Sequence, residues 1–248
     1  VSAFLDRLRE GLPTLMLGIR GSRTTEVVRM AHATGHHATL IDLEHSTMST
    51  DVAAQLCSAA DSLGMTPLVR VPEREYGMIG RLLDGGAHGI VAPRIETAEQ
   101  AREVARACRF PPRGQRSQLA QVPQYGMRPL PARELNPALD DAAVVQILIE
   151  TPAGIARVDD IARVGGVDMI AIGANDLTAE LGVPGDYDDP RVLDAIATAA
   201  RACRTHGKLL AVGGMPMTGL AGVCPLQITG MDSALLFKAI HSAAKEAL

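Results

Sequence analysis

Short apolar runs alternate along this chain with helical segments from one end to the other. The runs are Leu15–Ile19, Thr39–Leu43, Pro67–Val71, Gly89–Pro93, Val144–Ile149, Met169–Gly173, Leu209–Val212 and Leu226–Thr229. They show almost no polar alternation, which is the mark of strands covered on both faces. Helical segments follow at about 24–33, 51–63, 77–84, 97–108, 153–164, 190–206 and 233–248. A short segment near 218–221 follows the seventh run, and residues 1–10 read as an amphipathic helix. Strand and helix taking turns in this way predict a parallel sheet with helical crossovers.

The length of 248 residues matches one (β/α)8 TIM barrel, so residues 1–248 are read as a single α/β domain. A doubly wound open sheet is the rival architecture. It is weakened because no clean G-x-G-x-x-G follows the first strand. One stretch breaks the alternation. Residues 109–130 are rich in Pro, Arg and Gln and carry no clear period. An irregular loop of this length can lie over the active face as a lid, fill a subunit contact, or be a mobile excursion.

Composition narrows the function. A net charge of −4 provides no basic field for nucleic acid, and aromatic residues at 2% leave no stacking platform for bases. No apolar run is long enough to span a bilayer, and the first residues lack the layout of a signal peptide. Cys57, Cys108, Cys203 and Cys224 are widely spaced with no CxxC, which fits buried thiols in a cytoplasmic protein.

In a barrel of this kind, chemistry sits at the carboxyl ends of the strands. The first strand ends in Arg20, the second in Asp42-Leu43-Glu44-His45-Ser46 and the third in Arg70. The fourth ends in Pro93-Arg94-Ile95-Glu96, the fifth in Glu150-Thr151-Pro152 and the sixth in Gly173-Ala174-Asn175-Asp176. Glu150 and Asp176, on neighbouring strands, suit a hard divalent cation with oxygen ligands. Alternatively, Glu150 caps the next helix and Asp176 starts a turn. Arg70 is either a fixed positive charge for an oxyanion or a structural ion pair with Asp42 or Glu44. His45, beside carboxylates, is either the general base or a solvated loop histidine. The turn at 173–176 offers successive backbone N–H groups to a carboxylate, or is an ordinary loop.

Taken together, these residues resemble the HpcH/HpaI-type family of metal-dependent, class II aldolases acting on 2-oxo acids. The resemblance spans nearly the whole chain. It is carried by Ile41-Asp42-Leu43-Glu44-His45, Leu68-Val69-Arg70, Leu82-Leu83-Asp84-Gly85-Gly86-Ala87, and Val91-Ala92-Pro93 with 96–101. Ile149-Glu150-Thr151 and the stretch from Gly166-Val167-Asp168 through Ile172-Gly173 to Asp176-Leu177 complete it. The resemblance implies reversible cleavage of a 4-hydroxy-2-oxo acid to pyruvate and an aldehyde through an enolate. It implies a divalent ion (Mg, Mn or Co) on Glu150 and Asp176, with the oxo acid also held by the amides of Asn175 and Asp176. It gives Arg70 the enolate oxygen and His45 the role of base, with Asp84 raising its basicity across a subunit contact. It further implies a homo-oligomer, a hexamer or another assembly of dimers, with scope for the last helix to be exchanged between paired subunits.

The chain departs from the family pattern at informative places. Leu148 stands where relatives often carry Gln, Gly173-Ala174-Asn175-Asp176 replaces Gly-Pro-Ala-Asp, and Arg20 stands where an aromatic residue is frequent. Gly213 and Gly214 leave room where some relatives have larger side chains. These changes concern the aldehyde partner more than the pyruvate half. Arg20 either meets an acidic group of the substrate or pairs with a rim carboxylate. The rival functions are oxaloacetate decarboxylation or a citrate-lyase-like cleavage on the same barrel, and a non-catalytic barrel that binds an oxo acid.

Overall fold

The computed structural model describes residues 3–215 and 224–247. Its strands are β1 (Thr14–Ile19), β2 (Ala38–Asp42), β3 (Thr66–Arg70), β4 (Gly89–Ala92), β5 (Val144–Ile149), β6 (Met169–Gly173), β7 (Leu209–Gly213) and β8 (Leu226–Met231). The helices are α1 (Ala3–Arg9), α2 (Glu26–Ala33), α3 (Thr50–Ser62), α4 (Ile79–Asp84), α5 (Ala98–Cys108) and α6 (Ala132–Ala142). They continue as α7 (Pro152–Ile155), α8 (Val158–Ala162), α9 (Ala174–Glu180), α10 (Pro190–His206) and α11 (Asp232–Glu246).

The strands pair in parallel in the order β7-β6-β5-β4-β3-β2-β1-β8. β7 and β8 approach each other across the remaining gap without ladder pairing, so the barrel is nearly closed. All eight apolar runs form strands within two residues of the pattern read from the sequence, and the open-sheet rival is excluded.

Two apolar layers hold the barrel. Side chains such as Ile41, Val69, Ile90, Ile147 and Ile170 face outward and meet the helices. Met16, Leu40, Leu68, Val144, Met169 and Leu226 face inward and fill the lower half of the barrel. Phe4, Leu5 and Leu8 of α1 join this inner layer and stopper the amino-terminal end. Filled layers of branched residues make the lower barrel a core and leave only its upper end open. The four cysteines are buried free thiols. Among the described residues no helix is long and apolar enough to cross a membrane.

The structure adds detail that the sequence pattern missed. α6 follows the irregular stretch, buries Leu135 and Leu139, and carries Pro137 in its interior. That proline and the missing side-chain cap obscure the helical signal. The segment at 153–164 breaks into α7 and α8 around Arg157, and α9 begins directly after β6. The short segment expected at 218–221 lies outside the described residues.

The irregular stretch is not a lid in this structure. Arg109 anchors it by donating to the carbonyls of Asp140, Ala143 and Gly166 and to the Asp168 carboxylate. Gln124 donates to the carbonyls of Leu83 and Ala87. These acceptors precede β4, β5 and β6, so the segment packs against the amino-terminal side of the barrel. Phe110 and Val122 of the stretch form a small core of their own with Leu135 and Leu139.

α11 contrasts with the other long helices. Asp232 is its only buried residue, and Leu235, Leu236, Phe237 and Ile240 face solvent in the single chain.

Candidate active site

At the carboxyl ends of the strands the barrel opens into a cavity of about 530 Å³. Its depth follows from sequence. Inward positions on one side carry Ala171, Gly173, Ala211, Gly213 and Gly230, while Leu40, Val91 and Leu148 line the other. Among the described residues the titratable side chains at its wall are Asp42, His45, Arg70, Glu150, Asp176 and Tyr187, with Arg20 across the mouth.

Glu150 is, with Asp42, one of the two buried carboxylates in this set. It is 3% exposed, and its Oε2 accepts the Arg94 N–H at 3.1 Å. Arg94 adopts φ +51°, an unusual conformation for a residue with a Cβ, and its guanidinium donates to Glu180 at 2.9 Å. Thr151, not Glu150, caps the following turn, accepting from the Gly154 N–H at 3.1 Å. The capping alternative is therefore removed and the Glu150 carboxylate is left for the cavity. Its neighbour Gly173 has no side chain because a Cβ there would fall on that carboxylate. Burial pushes the Glu150 carboxyl up to about 7, helped by the charges of Glu44 and Asp176 and opposed by the Arg94 N–H and Arg70.

Asp176 enters from the first turn of α9 and lines the same cavity. Buried carboxylates that repel one another are what a divalent cation relieves. Among the described residues no group of three or more His, Cys, Asp or Glu is arranged to hold a metal. The donor set therefore fits a two-carboxylate site completed by water and substrate, the habit of a magnesium-like ion.

On the facing wall, Arg70 is both ion-paired and presented to the cavity. Its Nε and Nη2 donate to Asp42 Oδ1 and Oδ2 at 2.9 and 2.7 Å, and Nη1 lies 3.3 Å from Glu44 Oε2. Burial alone works to raise the Asp42 carboxyl, but the Arg70 hydrogen bonds and charge hold it below the usual range. Glu44 moves the other way. Its burial, with Asp42 and Asp176 nearby, outweighs the pull of Arg70 and His45. His45 is 51% exposed in its side chain and stands with Nε2 3.7 Å from Glu44 Oε2.

The remaining expected residues divide. Arg20 lines the cavity, and among the described residues its guanidinium makes one hydrogen bond, to Ser233 Oγ at 3.3 Å. Asn175 sits on the rim, where its Oδ1 accepts the Tyr187 hydroxyl at 2.5 Å. Asp84 does not reach the cavity. It accepts from the buried Arg116 at 2.8 Å on the amino-terminal side, so any pairing with His45 needs a subunit contact.

Sequence reasoning assigned no role to Tyr187 or Asp232, and it named Asp42 only as one of two possible ion-pair partners of Arg70. The signal for Asp42 was present: it is the β2 residue in register with Arg70. Tyr187 lies in a connection without periodicity. Asp232 accepts backbone N–H groups from Arg20, Gly21, Ser22 and Ser233, which ties the end of β1 to the start of α11. Those bonds hold its carboxyl down to about 2 against a burial effect that works to raise it.

Comparison with known proteins identifies the family. The sequence profile described as HpcH/HpaI aldolase/citrate lyase matches residues 16–218. The 4-hydroxy-4-methyl-2-oxoglutarate aldolase tasA of Hapsidospora irregularis is 39% identical over 201 residues, covering 80% of this chain and 74% of its own. The 4-hydroxy-2-oxovalerate aldolase of Rhodococcus jostii (strain RHA1) is 33% identical over 246 residues, covering 96% and 93%. An HpcH/HpaI aldolase from Desulfitobacterium hafniense DCB-2 superposes with a TM-score of 0.92 at 23% identity, covering 100% of this chain and 97% of that one. Aldolases of this family generally depend on a divalent metal ion. The cavity with Glu150, Asp176, Arg70 and His45 is therefore set in a matching sequence and a matching barrel, and the chain belongs to the HpcH/HpaI aldolase/citrate lyase family.

Proposed function

We propose that this protein is a metal-dependent aldolase that reversibly cleaves a 4-hydroxy-2-oxo acid to pyruvate, or a close 2-oxo acid, and a carbonyl compound. The observation that carries the reading is the buried Glu150 carboxylate beside Asp176, facing a guanidinium fixed by Asp42 across one cavity. Glu150 and Asp176 would hold a divalent ion (Mg, Mn or Co), which would supply Lewis-acid chemistry for the 2-oxo group.

The chain's own residues account for the rest. The Arg94 N–H and the space left by Gly173 aim the Glu150 carboxylate into the cavity. His45 Nε2 takes the proton from the C4 hydroxyl as the C3–C4 bond breaks. The electron pair of that bond moves toward the C2 oxygen, leaving an enolate and a free carbonyl at C4. Arg70 places a preorganised positive charge for the developing oxyanion, and Asp42 keeps it from swinging away. Protonation at C3 then gives pyruvate. The N–H groups of Asn175 and Asp176, at the start of α9, support the oxo-acid carboxylate.

The uncovered apolar side of α11 supports a homo-oligomer in which this helix packs against a second copy. A pairing of Asp84 with His45 would likewise require a second copy of the chain.

Thorough chelation followed by addition of magnesium, manganese or cobalt tests the reading. Cleavage of 4-hydroxy-2-oxo acids is expected to vanish and return. Full activity in the chelated protein contradicts it.

A further inference from the structure

We propose that Arg94 is a positioning residue that sets the span between Glu150 and Asp176, and so makes the site prefer magnesium-sized ions to calcium. This rests on the metal-dependent reading and adds the residue that spaces the two carboxylates.

The backbone of Arg94 is the first ground. Among the described residues three other than glycine have positive φ, Arg74, Arg94 and Met127, and Arg94 is the one bonded to a cavity carboxylate. That region is disfavoured for a residue with a Cβ, and it persists where the surroundings over-determine it. Contacts with the end of β5 do so here. The Arg94 N–H donates to Glu150 Oε2 at 3.1 Å, and the Ile95 N–H donates to the Leu148 carbonyl at 3.1 Å. The Thr151 hydroxyl donates to Glu96 Oε1 at 2.7 Å. Three consecutive residues after β4 are thus tied to β5, and the turn at Arg94 places the first tie on the Glu150 carboxylate.

The side chain is the second ground. From that turn the guanidinium crosses to α9, where Nη2 donates to Glu180 Oε1 at 2.9 Å. Its Nε lies 3.7 Å from Glu73 Oε2. Glu180 follows Asp176 by four residues in α9, so the two side chains leave neighbouring turns of one helix face. One residue therefore reaches both elements: its N–H holds Glu150, and its guanidinium holds the helix that carries Asp176. Arg94 is not among the residues that line the cavity, so it acts through these groups and not on substrate.

Ion size follows from rigidity. Magnesium binds oxygen at about 2.0–2.1 Å and tolerates little deviation, whereas calcium takes about 2.3–2.6 Å in a flexible shell. Two carboxylates held at a set span discriminate between them, and two that can drift apart discriminate less. The Arg94–Glu180 pair is partly exposed, which keeps the effect modest.

The experiment measures Kd for magnesium and for calcium by calorimetry on the metal-free protein, in the wild type, Arg94→Asn, Glu180→Gln and the double variant. Asn tolerates positive φ and keeps the N–H, so Arg94→Asn removes the guanidinium and spares the bond to Glu150. Glu180→Gln cuts the same link from an exposed position on the helix, and it decides the matter where Arg94→Asn does not fold. The preference, Kd for calcium divided by Kd for magnesium, is expected to drop about 3- to 10-fold in each single variant. The double variant is expected to drop no further than the larger single effect, because both changes break one link. Arg94→Lys, which can keep one contact with Glu180, is expected to recover part of the preference. A preference unchanged in both single variants overturns the inference, as does an equal loss of affinity for both ions or a double variant in which the two losses add. A wild-type protein that binds neither ion overturns the metal-dependent reading itself, and this inference with it.

Discussion

Asp42 and Arg70 stand opposite each other in the β2–β3 ladder, and their side chains are joined by two hydrogen bonds of 2.9 and 2.7 Å. The pair shows how the fold orients its chemistry. Register brings a carboxylate and a guanidinium side by side at the carboxyl ends of two strands, and the carboxylate fixes the direction in which the guanidinium faces the cavity. Removing one partner of a buried ion pair leaves the other charge uncompensated. Asp42→Ala is expected to destabilise the protein by about 3 kcal/mol, read from urea denaturation. It is also expected to lower kcat by at least about tenfold, the cost of misplacing one preorganised charge. A variant with wild-type kcat contradicts the positioning role.

Gly173 tests the space around the Glu150 carboxylate. A methyl group there collides with the Glu150 side chain and forces it out of place. Gly173→Ala is expected to weaken divalent-metal binding at least about tenfold by calorimetry, the range seen when the support of a ligand is lost. Metal affinity equal to that of the wild type contradicts the placement of Glu150 as a ligand.

Asp232 tests the junction of β1 with α11. Its carboxylate accepts N–H groups from Arg20, Gly21, Ser22 and Ser233, so Asp232→Ala leaves several part-buried donors without that acceptor. The expected cost is about 2–3 kcal/mol. Because the folded-state carboxyl is depressed to about 2, its contribution is complete above the ordinary carboxyl range and fades as pH falls toward about 2. The gap in stability between wild type and variant is therefore expected to narrow on acidification. A gap that widens contradicts this assignment.

Glu150 gives the opposite sign. Its carboxyl is raised from 4.5 to about 7 in the folded chain, so the folded state binds more protons than the unfolded one between those values. Stability of the metal-free protein is expected to fall as pH rises through that window. Glu150→Gln removes this component, and added divalent metal opposes it. Denaturation midpoints in chelator at pH 5.5 and pH 8 measure the effect, and an equal change in wild type and variant contradicts it.

The barrel was legible because each strand is an unbroken apolar run, and that pattern arises only when both faces are covered. Glu150, Asp176, His45, Arg70 and Arg20 were legible because each falls where such a run stops. The split helix after β5 and α6 with its internal proline were harder to read, since local breaks there are offset by packing of Leu135, Leu139 and Ile161. The placement of residues 109–130 was hidden because it depends on Arg109 reaching carbonyls that are distant in sequence. Asp84 illustrates the same limit: a motif residue lies outside the cavity because its partner in this chain is Arg116.

The central claim is that Glu150 and Asp176 serve enolate formation on pyruvate. The most direct measurement follows the methyl protons of pyruvate by NMR in deuterated water, with the metal-loaded wild type, the chelated wild type and Glu150→Gln. Exchange that requires added metal and is lost in Glu150→Gln is the expected result. Exchange at an unchanged rate in the chelated protein or in the variant contradicts it.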